Sequence, residues 1–137
     1  MKKLASCCGA LCALSLCVSL AAANRPEDPA TIKEVMKALH KGADAPVSQL
    51  KNALKSDSPD WKVVQEAAKV YAKHSPDLVK NDPPKGEKAD FEKLAKAFNE
   101  QSEKLNKAAK DQNLADARAA FGKLSTSCMD CHKAHKP

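Results

Sequence analysis

Residues 113–135 read NLADARAAFGKLSTSCMDCHKAH. Ala117, Phe121, Leu124, Cys128, Cys131 and His135 follow one another at steps of four, three, four, three and four. That is the period of one helix face, which is apolar at its start and ends in cysteine and histidine. Asn113 is a natural N-cap for this helix, with Asp116 three residues on. Within the stripe, Cys128-Met129-Asp130-Cys131-His132 spells C-x-x-C-H, the attachment pattern of c-type haem. The chemistry needs that spacing. Two thiols about one helical turn apart add across the two vinyl groups on one haem edge, and the adjoining histidine presents an imidazole nitrogen to the iron. Because both cysteines lie on the inward stripe, a group held there would face the interior of a helical bundle.

The preceding turn, Asp111-Gln112-Asn113, is short, so the last two helices are expected to be antiparallel neighbours. The third helix is expected to open near Glu87 to Asp90 and close near Lys110, burying Phe91, Leu94, Ala95, Phe98, Leu105, Ala108 and Ala109. Ahead of it, Ser75 to Lys88 holds three prolines and a glycine and reads as a long loop. The second helix is expected to start with Ser58 as N-cap and Pro59 at its first position. It would bury Trp61, Val64, Ala68 and Tyr71, and Ser75-Pro76 would stop it after His74. The first helix begins near Ala30 or Thr31 with Ile32, Val35, Met36, Leu39 and Ala43 inward. A kink or break is expected between Gly42 and Ala45, ahead of Pro46, after which Val47, Leu50, Ala53 and Leu54 resume the period. No segment alternates like a strand. The expected fold is all-α: an antiparallel four-helix bundle carrying the attachment motif on its C-terminal helix.

At 137 residues the chain suits one domain. Residues 1–23 read as a cleaved signal peptide: Lys2 and Lys3, an apolar run from Leu4 to Leu20, then Ala21-Ala22-Ala23, with cleavage before Asn24. A retained span is disfavoured because the run is near the lower length limit. Lipidation at Cys17 is disfavoured because bulky Leu16 precedes it. Residues 24–137 would form the periplasmic domain, with no stable membrane insertion. Of six cysteines, Cys7, Cys8, Cys12 and Cys17 leave with the leader, so only Cys128 and Cys131 remain. An exported domain would ordinarily spend spare cysteines on disulfides; this one has none to spare. The domain retains 21 Lys plus Arg against 17 Asp plus Glu. Its lysines are dispersed along helix faces, which speaks for a solvated surface and against nucleic acid, while a mild positive field could steer an acidic redox partner.

A zinc site built from Cys128, Cys131, His132 and His135 is the competing reading of the motif. Structural zinc usually draws its second ligand pair from a separate segment, and adjacent Cys131 and His132 diverge on a helix. One covalently attached haem c is therefore the expected cofactor, with His132 as proximal iron ligand. Met129 is tethered to the proximal side. Met36 is the preferred distal ligand, an iron with no side-chain ligand there is the next option, and His40 is the third. His74 and His135 are expected to be structural or solvated.

From Thr31 to Lys136 the chain resembles the class II c-type cytochromes, the cytochrome c-prime group and its low-spin relatives. The likeness is carried by Cys128-Met129-Asp130-Cys131-His132, by Pro83-Pro84-Lys85-Gly86 and by Val35-Met36-Lys37-Ala38-Leu39. In the low-spin branch a first-helix methionine is the sixth iron ligand, which the resemblance carries to Met36. The high-spin branch has no ligand there and binds small gases. The chain departs from the family in having His135 and Lys136 where an aromatic and an arginine often follow the haem histidine. The expected function is one-electron transfer in the periplasm, with gas binding as the alternative. No base and nucleophile are arranged for catalysis, and homodimerisation is left open.

Overall fold

The computed structural model describes residues 28–137; the expected signal peptide and its cysteines lie outside them. Five helices follow in order: α1 (Ile32–His40), α2 (Pro46–Ala53), α3 (Trp61–Val79), α4 (Lys88–Lys110) and α5 (Leu114–His135). No strand occurs among the described residues. The fold is an all-α bundle in which the first of four expected helices is divided into α1 and α2.

Local chemistry sets the boundaries. Thr31 caps α1 in a reciprocal box: its hydroxyl accepts from the Glu34 amide at 3.3 Å, and Glu34 Oε2 accepts from the Thr31 amide at 2.9 Å. The interruption falls where Gly42 and Pro46 place it. Gly42 turns the chain at φ +103°, a conformation open to a residue without Cβ. Pro46 then takes the first position of α2, where its missing amide hydrogen costs nothing. Ala43, expected inside, is exposed beside this turn.

The second expected helix needs correction at both ends. Its cap is Asp60, not Ser58: Asp60 Oδ1 accepts from the amides of Lys62 at 2.9 Å and Val63 at 3.4 Å. Ser58 instead belongs to a local turn, its amide donating to Ser56 Oγ at 3.2 Å. The helix also runs through Pro76 to Val79, so the following loop is shorter than expected. Tertiary contacts outweigh the proline here. Ser75 is fully buried and donates to Asn99 Oδ1 at 2.8 Å, and Leu78 one turn on is buried in the core.

α4 and α5 match their expected limits. Asn113 caps α5 by accepting from the Asp116 amide at 3.1 Å. α4 packs along both α3 and α5, while α1 and α2 lie against α3. The core joins Val35 and Leu39 of α1, Leu50 of α2, Val64, Ala68 and Tyr71 of α3, Phe91, Phe98 and Leu105 of α4, and Ala117 and Leu124 of α5. α1 has no extensive packing on α5. The two face each other across a cleft.

Candidate haem-binding cleft

The cleft has an inner and an outer part. Ile32 and Met36 of α1, Leu78 of α3, Phe91, Leu94, Ala95 and Phe98 of α4, and Ser127, Cys128, Cys131 and His132 of α5 line the inner part, about 50 Å³ in volume. The outer part, about 640 Å³, lies between α1 and the end of α5 and adds Thr31, Lys33, His40, Asn81, Asp82, Pro84, His135, Lys136 and Pro137. Its size is within the range of pockets that take cofactors (~300–1,000 Å³). Ile32, Met36, Phe91 and Cys131 line both parts, and the outer part is joined by polar side chains that include His40, Asn81, Asp82 and His135.

Every site residue expected from the sequence meets this cleft. Cys128 and Cys131 are half-buried against the core, and both are free thiols. Burial pushes both thiols up from their ordinary pKa, and for Cys128 the neighbouring Cys131 adds to the shift. His132 is exposed at the mouth, and Met36 stands on the α1 wall. Met36 borders both parts of the cleft, whereas His40, one turn later, borders only the outer part. Desolvation, helped by His132 across the cleft, holds the His40 imidazole below its usual pKa. Met129 is on the outside of α5, 67% exposed.

His135 is only 3% exposed. Its Nδ1 lies 2.9 Å from the Lys85 carbonyl oxygen, and its ring meets Phe91 edge-on at 5.4 Å between centroids. The Pro83–Gly86 segment thereby closes onto the end of α5, with Gly86 at φ +80° beneath the imidazole. This arrangement turns His135 away from a Cys2His2 set. No group of three or more His, Cys, Asp or Glu side chains is placed to hold a metal ion among the described residues.

Sequence reasoning missed Leu78 as part of the lining, because the helix was expected to stop before it. It also gave no role to Asn81, whose side chain donates to the Ala30 carbonyl at 2.9 Å and to Asp77 O at 2.8 Å. That bond ties the start of α1 to the end of α3 and helps fix the width of the cleft.

Residues 86–136 match the protein family described as Cytochrome C'. That match supports a class II c-type cytochrome of the cytochrome c-prime group. That family binds covalently attached haem c. The matched segment holds Gly86, all of α4 and α5, and the turn between them. No curated protein and no solved structure matches the chain. The residues present fit the group. Two thiols one turn apart stand at an apolar cleft, an imidazole adjoins the second of them, and a thioether borders the same space from α1. No described helix is long and apolar enough to cross a membrane.

Proposed function

We propose that the chain is a periplasmic monohaem c-type cytochrome, a one-electron carrier exported by residues 1–23 and not an enzyme. Cys128 and Cys131 would hold the haem through thioethers, His132 would be the proximal iron ligand and Met36 the distal one. When bound, the haem supplies a one-electron Fe(III)/Fe(II) couple. The chain's part is to place the ligands and keep water away. Phe91, Leu94 and Phe98 supply apolar walls, and α1 holds Met36 at a position backed by buried Val35 and Leu39. A thioether opposite an imidazole favours Fe(II) and raises the potential relative to a second imidazole.

The observation that carries this reading is the position of Met36. It borders the inner cleft together with Cys128, Cys131 and His132, and His40 does not. Electron exchange would then occur with a partner protein, and the net positive charge of the domain favours one with an acidic face.

Adding carbon monoxide to the reduced, haem-loaded protein tests the ligand and the function together. We expect slow or negligible change in the Soret band of the wild type and rapid binding by Met36→Ala. Rapid binding by the wild type would instead support the gas-binding alternative.

A further inference from the structure

Met36 and His40 stand one turn apart on α1, and both border the outer cleft together with Cys131 and His132 of α5. They are offset by one residue from Val35 and Leu39, the fully buried pair that seats α1 on the core. The helix thus turns one i, i+4 pair inward and sets the next beside the cleft. A helical side chain leans toward the N-terminus of its helix, so a side chain at position 40 reaches back over the turn that begins at Met36. The two residues can therefore serve a common point in the cleft with the backbone of α1 left in place. Other polar groups there are committed or unsuited. The Asn81 amide donates to the Ala30 and Asp77 carbonyls, Asp82 is paired with Lys88 at 2.6 Å, and the exposed Lys33 ammonium has no lone pair for a metal. The His40 ring, by contrast, feels desolvation and its neighbour His132, and no hydrogen bond.

We propose that His40 is a second distal iron ligand, exchanged with Met36 when the haem changes oxidation state. The proposal rests on the reading that the attached haem lies in this cleft with Met36 on its reduced iron. A thioether is a soft donor that favours Fe(II), whereas an imidazole favours Fe(III) by comparison. On oxidation one electron passes to the redox partner, the iron–sulfur bond to Met36 breaks, and a His40 nitrogen supplies the lone pair that replaces it. No proton moves, because the ring binds as neutral imidazole. Reduction by an electron from the partner reverses both bonds. Met36 stays close in either state, since it borders the inner cleft and His40 does not. Buried Val35 and Leu39 keep α1 seated meanwhile, so the exchange is a motion of two side chains. Each electron carried is then gated by that motion.

The test uses the full-length haem-loaded protein at neutral pH, in both oxidation states. In the ferrous form, proton NMR of the wild type and of His40→Ala is expected to show a ligand methionine methyl shifted far upfield by the haem ring current. In the ferric form, the wild type is expected to lack the weak red charge-transfer band of a thioether–Fe(III) bond, and His40→Ala to regain it. A ferric wild type with the band at the strength seen in His40→Ala overturns the proposal. So does a band missing from both proteins, because a group other than His40 then displaces Met36. Should His40→Ala fail to load haem, the ferric wild type still decides. Nitrogen hyperfine couplings in its pulsed electron paramagnetic resonance must come from two axial imidazoles, and a single axial imidazole refutes the exchange. A ferrous wild type without the shifted methyl refutes the underlying assignment of Met36 instead.

Discussion

A Cβ built on Gly86 would stand 2.9 Å from His135 Nδ1 and 3.0 Å from the Ala134 carbonyl oxygen, at a backbone φ of +80°. Space and conformation therefore both require glycine. Gly86→Ala is expected to destabilise the fold by about 1–3 kcal/mol, the usual cost of a left-handed non-glycine residue, plus whatever the collision adds. Chemical denaturation of the haem-loaded protein measures the loss, and an unchanged midpoint contradicts the packing described. Much at this scale was readable in advance. C-x-x-C-H named its own chemistry, and the helical period placed Cys128, Cys131 and Met36 inward. What could not be read was the environment of His135. Its burial depends on Lys85, fifty residues earlier, and no local pattern reports a contact over that separation.

At the level of single helices, the junction between α2 and α3 depends on one side chain of α5. Arg118 Nε donates to Leu54 O at 2.7 Å, and its Nη2 to Lys55 O at 3.3 Å and Ser56 O at 3.1 Å. The guanidinium thus serves carbonyls left open where α2 ends. Arg118→Ala should cost roughly 1–2 kcal/mol, mostly from the partly buried bond to Leu54. The Asp57 contact adds little because that carboxylate is exposed. Arg118→Lys should recover only part of the loss, since one ammonium cannot span three carbonyls. The start of α1 is governed by pH. Hydrogen bonds from Thr31 hold the Glu34 carboxyl below the ordinary carboxylate pKa. A depressed folded pKa means the capping contribution is present above the unfolded value and is lost as pH falls through the folded one. Protection factors at the Glu34 and Val35 amides, taken relative to the intrinsic exchange rate at each pH, should therefore fall on acidification, and Glu34→Gln should remove most of that dependence. Helix ends were the least legible feature here. Pro76 looks like a stop in isolation, yet the burial of Ser75 and Leu78 carries α3 past it.

Across the whole molecule, packing is uneven in a way that suits the proposed function. α3, α4 and α5 form a continuous packed layer, α1 and α2 rest on α3, and the space between α1 and α5 is left to the cleft. The helical order and the all-α class follow from periodicity, but this gap depends on how the short α1 seats on α3. If haem fills the space and Met36 binds its iron, α1 gains a tie to α5 that the polypeptide alone does not provide. Exchange protection across Ile32–His40 should then be greater in the haem-loaded protein than in Cys128→Ser/Cys131→Ser, while the α3–α4 core changes less. Intact-protein and peptide mass spectrometry of exported material tests the central claim most directly. The account predicts a single added haem mass on the peptide containing Cys128 and Cys131, with neither thiol free to alkylate. Unmodified, alkylatable cysteines at both positions would contradict it.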